Sequence, residues 1–92
     1  MNKKIELIAK RIDYLSSLDE ETFFAWLERI SCVVEKRGIA DELHVYVDQT
    51  KLSESDLREL LALFYRYEID MKQLRIFLNK DNKSWLDRKE TF

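Results

Sequence analysis

The chain contains one glycine and no proline among its 92 residues. Average usage would supply roughly 6 glycines and 5 prolines in a chain of this length. Tight hairpin turns with a positive φ usually need Gly or Asn, so a sandwich built from many short hairpins is disfavoured. Helices joined by short polar links fit this sequence better.

The length of the chain and its cysteine and histidine content limit the classes of protein to which it can belong. A chain of 92 residues is predicted to be a single domain over 1–92, because two halves would be too small to bury useful cores. Cys32 and His44 are its only cysteine and histidine, which excludes a disulfide scaffold and a structural zinc site. No cofactor is predicted.

No apolar run approaches the ~20 residues needed to span a bilayer. The N-terminal segment is interrupted by Glu6, Lys10, Arg11 and Asp13 rather than built as the apolar core of a signal peptide. We therefore expect a soluble, cytoplasmic protein with no membrane partner.

The two ends of the chain are interpreted differently. Apolar residues from Ile5 to Leu15 recur at helical spacing, which predicts a first helix over residues 3–16. The tail, residues 80–92, either forms a last short helix docked by Trp85 or frays.

Three later helix starts share one device, in which apolar residues flank a capping residue at the spacing of a hydrophobic staple. The predicted caps are Asp19, Ser53 and Asp70. In each case one apolar residue precedes the cap and another follows it four positions later. Gln73 adds the spacing of a reciprocal capping box to the helix that begins at Asp70.

The segment 53–67 is predicted to be the central helix of the core. Its apolar side chains cover roughly 200° of the helix circumference, about twice the arc of a surface helix. Packing on both sides is therefore expected. A shorter helix over 70–79 follows and is predicted to bury residues that include Leu74 and Phe77.

Apolar and polar residues alternate over 42–48, the pattern of a half-buried strand. The segment before it is open to two interpretations. Either Val33 and Val34 begin a strand that residues 36–41 turn back onto 42–48, or the preceding helix continues to Arg37 and Gly38 takes the left-handed position after its end. The hairpin is favoured, because a lone strand leaves backbone groups unpaired unless another chain supplies the partner. A homodimer through the 42–48 strand is the other way to pair them.

No reactive constellation is visible in the sequence. His44 is predicted on the polar face of its strand, and Cys32 lies in an apolar stretch without a nearby base, so neither is expected to act in catalysis. A single glycine cannot build a glycine-rich phosphate loop. The acidic groups at the predicted helix starts match the positive end of the helix dipole better than a metal site. An enzyme is the least favoured class.

The charges are unevenly distributed along the chain. Residues 1–12 carry a net charge of +3, residues 13–59 carry −7 and residues 60–92 carry +2. The central acidic segment is either a solvated face or a surface complementary to a basic partner. Nucleic-acid binding needs a basic stripe with interleaved aromatics, and both basic ends are diluted by acids. A nucleic-acid partner is therefore disfavoured.

Aromatic residues border the charged faces, which is typical of protein–protein hot spots. They include Trp26, Tyr46 and Tyr65; closing off a small core is the alternative role, above all for Trp26 and Trp85. The predicted partner-binding residues are Asp19, Glu20, Glu21, Trp26, Asp41, Glu42, Tyr46, Glu54, Asp56, Glu59 and Tyr65.

The stretches 57–67 (LRELLALFYRY) and 69–74 (IDMKQL) resemble small bacterial proteins encoded beside polymorphic toxins, including immunity proteins of contact-dependent inhibition systems. The resemblance implies a cytoplasmic inhibitor that binds one cognate toxin domain, usually by masking its active site. It assigns no individual residue.

Together these patterns predict an α+β fold that is mainly α, with four to five short helices packed around one small β-hairpin. The predicted function is that of a non-catalytic protein-binding protein, most concretely a toxin-neutralising immunity protein. The alternatives are a small nucleic-acid-associated or regulatory protein, and an oligomeric structural subunit.

Overall fold

The computed structural model describes residues 4–87. These residues form three strands, three α-helices and two 3-10 helices. In chain order the elements are β1 (Lys4–Lys10), α1 (Ser17–Glu28), β2 (Val33–Ile39), β3 (Glu42–Asp48), a 3-10 helix (Gln49–Lys51), α2 (Glu54–Arg66), a second 3-10 helix (Met71–Phe77) and α3 (Lys83–Leu86).

The strands form one antiparallel sheet in the order β1-β3-β2. Val45 and Val47 of β3 are buried, and Leu7 and Ala9 of β1 are buried beside them. Side chains alternate between the faces of a strand, so one sheet face packs on the core. The other face carries His44 and the remaining polar residues of β3.

The prediction of a first helix over 3–16 is wrong: residues 4–10 form β1, and residue 3 lies outside the described residues. Leu7 and Ala9 are each 1% exposed. Burial in this segment therefore follows the two-residue period of a strand and not the helical spacing of the apolar residues. β1 pairs with β3 along its whole length, from Lys4 opposite Asp48 to Lys10 opposite Glu42. Long-range pairing satisfies the backbone groups that a helix would have satisfied locally.

The fold class needs the same correction. The domain is α+β, as predicted, but it is roughly balanced rather than mainly α, because about 25% of the described residues lie in strands. The sheet has three strands, where a two-stranded hairpin was expected. β1 supplies the third.

The hairpin itself is confirmed. β2 pairs with β3 in antiparallel register, with a bulge between Val33 and Glu35. The turn is tighter than the predicted 36–41, and Ala40 takes the positive φ of 56° that it requires. Gly38, which the helical alternative placed after the end of a helix, lies within β2. Because β3 is the central strand and is paired on both edges, the predicted homodimer through 42–48 is wrong.

The N-cap of α1 lies three residues before the predicted cap, Asp19. Ser16 is the N-cap, and its hydroxyl accepts a hydrogen bond from the N–H of Asp19. Asp19 therefore lies inside the first turn. Leu18, the predicted staple residue, is 72% exposed, so no staple forms here.

α2 is confirmed as the central helix. Its N-cap is Ser53, whose hydroxyl accepts from the N–H of Asp56. At its C-terminal end Ile69 N–H donates to Phe64 O at 2.9 Å, and Glu68 N–H donates to Tyr65 O at 3.3 Å. This is a Schellman motif. Glu68 occupies the left-handed position of the motif, with a φ of 55°.

The cap at Asp70 is also confirmed, with its carboxylate accepting from Lys72 N–H. The element that follows is a 3-10 helix rather than the predicted α-helix. Gln73 does not close a capping box. Its side chain bonds the backbone of Ile8 in β1 instead.

The described part of the tail is ordered against the core. α3 buries Leu86 completely, and the guanidinium of Arg58 lies over the Trp85 ring at 4.1 Å from its centroid. Docking by Trp85 is therefore the confirmed alternative for this part, and residues 88–92 lie outside the described residues. The buried core consists of Leu7, Ala9, Phe23, Leu27, Ile30, Cys32, Val45, Val47, Leu57, Leu60, Leu63, Phe64, Ile69, Leu74, Phe77 and Leu86.

Candidate functional site

The predicted partner-binding residues fall into two groups in the fold. The larger group lies on the two long helices: Asp19, Glu20, Glu21 and Trp26 on α1, and Glu54, Asp56, Glu59 and Tyr65 on α2. The smaller group lies on or beside the sheet: Asp41, Glu42 and Tyr46. The sequence prediction therefore covers two separate surfaces, and the helical one carries most of the predicted acidic residues.

α1 and the loop before it contain acidic residues but no basic ones. Residues 13–28 contain five acids and no base. Glu20 and Glu21 are exposed, and within residues 4–87 neither forms an ion pair. Their charge is therefore directed to solvent. We call the surface formed by half-buried Trp26 and the exposed residues Asp13, Leu15, Leu18, Glu20 and Glu21 the α1 surface.

Asp19 has an internal role in this region. One carboxylate oxygen accepts from Leu15 N–H at 2.9 Å, and the other accepts from Tyr67 Oη at 2.8 Å. It joins the loop before α1 to the end of α2. Hydrogen bonds to an ionised acceptor are among the stronger ones, so Asp19 holds the α1 surface in place.

A cluster of aromatic rings supports the same junction. Phe23 packs edge-on against Tyr67, Phe24 and Tyr14, with ring centroids 4.9, 5.2 and 5.5 Å apart. Burial raises the pKa of Tyr14 to about 12, helped by the nearby charge of Glu20. Edge-to-face packing gives the junction a defined geometry. The loop that carries Leu15 is therefore held against the core by these rings.

Trp26 lies on the contact between α1 and α2. Its indole Nε1–H donates to Glu59 Oε1 at 2.8 Å. The half-buried ring borders two open depressions. One is shared with Leu15 and Arg66, and the other lies where Arg29 faces α2. The ring is fixed by a hydrogen bond and still forms part of the surface.

Sequence reasoning missed the exposed leucines. Leu15 is 85% exposed and Leu18 is 72% exposed, although both were expected to be buried by the helical stripe and the staple. The acids around them were the available signal, because apolar residues flanked by acids on a helix start suit a binding surface as well as a core. Tyr65 on α2 is 62% exposed, in agreement with its predicted position at a face edge.

Asp56 is only 8% exposed. Its Oδ2 accepts from Ser31 Oγ at 2.8 Å and from Cys32 N–H at 2.9 Å. It therefore connects the start of α2 to the segment before β2. We leave it out of the proposed binding surface, since its carboxylate is already occupied.

Glu54 forms an ion pair with Arg58 one turn along α2, with Arg58 Nε and Glu54 Oε2 3.0 Å apart. Exposed pairs of this kind contribute little to stability. Arg58 also packs on Trp85. Glu54 is therefore part of the arrangement that docks the tail.

The sheet group is more evenly charged. Asp41 is paired with Arg11 at 2.7 Å, which keeps the pKa of Asp41 below its usual value. Glu42 lies 3.1 Å from His44 Nε2, while Glu6 lies 3.0 Å from His44 Nδ1. The hydrogen bond to Glu6 raises the pKa of His44, and desolvation opposes the rise. Tyr46 beside them is half-buried.

The chemistry available from these residues is limited. Both His44 nitrogens face carboxylates, so neither is free to take a proton from a substrate. Burial raises the pKa of Cys32 to about 12, with Asp56 adding to the rise, so its thiol is not ionised at neutral pH. Within residues 4–87 no three His, Cys, Asp or Glu side chains are grouped so as to hold a metal ion.

Comparisons of the chain with protein-family models, curated proteins and solved structures find no match. None of the helices within residues 4–87 has the length and apolar character needed to cross a membrane.

Proposed function

We propose that this protein is a non-catalytic binding protein that neutralises a cognate bacterial toxin domain in the cytoplasm by covering it with the α1 surface. The observation that carries the proposal is that Glu20 and Glu21 of α1 are exposed, form no ion pair within residues 4–87 and lie beside exposed apolar groups. Residues 13–28 hold five acids and no base, while Leu15 and Leu18 are exposed in the same segment. A basic partner fits both features.

The acids supply attraction at a distance. Complementary charges speed the encounter of two proteins and align them, and their effect weakens with added salt. Glu20 and Glu21 suit this role because no ion pair within residues 4–87 neutralises them. The sheet face does not, because Glu6, Glu42 and Asp41 are paired with His44 or Arg11.

The apolar groups supply affinity at short range. Hot spots in protein interfaces are enriched in Trp, Tyr and Arg and are surrounded by polar groups that exclude water. Trp26 is held by Glu59 and lines the same depression as Leu15. A side chain held in one orientation loses little conformational freedom on binding. Trp26 is therefore proposed as the anchor of the interface.

The experiment is co-expression with the toxin domains encoded in neighbouring reading frames, followed by calorimetric titration of the pair that co-purifies. The test variant is E20K/E21K. The matched control is D81K/D87K, which changes the net charge equally on the exposed tail. We expect roughly tenfold weaker binding for E20K/E21K at low salt and little change for the control.

Two results would contradict the proposal. One is equal binding by both double variants, which would remove the α1 surface from the interface. The other is failure of every neighbouring toxin domain to bind, together with steeply salt-dependent binding of the protein to DNA or RNA in a filter assay. That second result would indicate phosphate contacts and a nucleic-acid partner.

A further inference from the structure

β2 is an exposed edge of the sheet. Among the strands of residues 4–87, the order β1-β3-β2 leaves one side of β2 without a partner strand, and residues 36–39 are all exposed. This edge is therefore open to another chain.

The register shows which backbone groups of β2 face that space. His44 of β3 lies opposite Ile8 in β1 and opposite Arg37 in β2. The N–H and C=O of Ile8 both bond the Gln73 side chain, so they face away from His44. Residues of an antiparallel pair alternate between bonded and non-bonded positions. His44 therefore bonds Arg37, and Lys36 and Gly38 direct their N–H and C=O outward.

The edge is complementary to itself in charge. An antiparallel pairing of two β2 strands about Lys36 places Glu35 of each copy opposite Arg37 of the other. Directly opposed side chains on one sheet face have Cβ atoms about 4.5–5.5 Å apart. Glu35 and Arg37 lie on the same sheet face, since they pair with Tyr46 and His44 of β3. Two ion pairs across the symmetry axis result.

The central Lys36 fits the same arrangement. Its outward N–H and C=O meet those of Lys36 in the second copy. The two ammonium groups would repel each other, but each is already paired with Glu28 of its own chain, at 3.1 Å. The repulsion between them is therefore reduced at the symmetry axis of the pairing.

The other edge of the sheet differs. β1 is capped at Ile8 by the side chain of Gln73, and the second 3-10 helix carries that residue. A side chain placed in this way hinders pairing with another chain at that residue. Within the described residues no side chain caps the outward backbone groups of Lys36 and Gly38 in the same way.

We propose that two copies of this protein pair through β2, antiparallel and centred on Lys36, so that their two sheets become continuous. The surface used is separate from the α1 surface, so this self-association does not depend on the proposed toxin partner. Its chemistry is backbone pairing selected by the Glu35–Arg37 charges.

The test uses the full chain and light scattering over a range of concentrations. The wild-type protein is expected to reach twice its monomer mass of 11.2 kDa. E35R and R37E each place like charges opposite one another, so each alone should dimerise roughly tenfold more weakly. Circular dichroism checks that both variants are folded.

The decisive sample is an equal mixture of the two variants. In the mixed dimer the two arginines of the E35R chain face the two glutamates of the R37E chain, so dimerisation should recover. The ion pair between Glu35 and Arg37 within one chain is broken in both variants, so it cannot explain a recovery. A wild-type protein that stays monomeric, variants that dimerise as well as the wild type, or a mixture without recovery would each overturn the proposal.

Discussion

The side-chain amide of Gln73 hydrogen-bonds both backbone groups of Ile8, accepting from its N–H and donating to its C=O, each at 2.8 Å. The amide therefore takes the place of a fourth strand at one residue of the β1 edge. It also donates to Asp70 O at 2.9 Å, which ties the second 3-10 helix to the sheet. A residue chosen from the sequence as a local cap thus acts over 65 positions of chain.

Replacing Gln73 by Ala should lower the free energy of unfolding by about 1–2 kcal/mol, because it removes two partly buried hydrogen bonds. Urea unfolding measures the change. K72A is the matched control, since Lys72 is the exposed neighbour on the same element and should shift stability by less than about 0.5 kcal/mol. Equal effects of Q73A and K72A would mean that water replaces the amide at no cost.

Glu68 holds the left-handed position of the α2 Schellman motif, with a φ of 55°. The left-handed conformation costs a residue with a side chain about 1–2 kcal/mol of folding free energy, and glycine avoids this cost. The greater conformational freedom of glycine in the unfolded chain offsets part of that advantage. E68G should therefore stabilise the domain by about 0.5–1 kcal/mol. E68A is the control, because it keeps the Cβ and should give no gain. A lower melting temperature for E68G would contradict this account.

The elements predicted correctly are those whose signals are local. Ser53 and Asp70 are caps in the structure as in the sequence, because a short polar side chain before an apolar run satisfies the free N–H groups of a helix start. The hairpin was likewise visible in the two-residue alternation of β3.

β1 was mispredicted because its apolar residues fit two periods at once. Ile5 and Ile8 satisfy a helical stripe, whereas Leu7 and Ala9 are the side chains that become fully buried. Only the partner strand, more than 30 residues away, decides between them. The paired carboxylates of the candidate site were invisible for the same reason. The partners of Asp19 and Asp56 come from distant segments.

Asp56 should contribute to stability rather than to partner binding. D56A leaves Cys32 N–H and Ser31 Oγ without their acceptor, and we expect a loss of about 2–3 kcal/mol in unfolding free energy. Both bonds end on the same oxygen, Oδ2, so D56N keeps an acceptor and should lose much less. Calorimetric melting measures both variants. A loss of toxin affinity in a folded D56N protein would contradict this prediction and would indicate that Asp56 contacts the partner.

His44 should make stability depend on pH in a defined direction. The hydrogen bond to Glu6 raises the pKa of His44 above its ordinary 6.5, so the folded state holds this proton more tightly than the unfolded state. The resulting stabilisation is fully present below pH 6.5 and is lost as pH rises through the folded pKa. Glu6 has a pKa below its ordinary 4.5, so its contribution is present above pH 4.5 and is lost as pH falls through the lowered value.

The stabilisation from the Glu6–His44 pair is therefore greatest between these two ordinary values. Urea unfolding at pH 5.5, 7 and 8.5 should show stability falling with pH, and an NMR titration of the His44 ring should give a pKa above 6.5. His44 is the only histidine in the chain, so H44Q should flatten the dependence between pH 5.5 and 8.5. E6Q should return the His44 pKa toward its ordinary value while leaving the ring in place. A wild-type protein whose stability rises over this range would show that burial of the imidazole outweighs its two carboxylate partners.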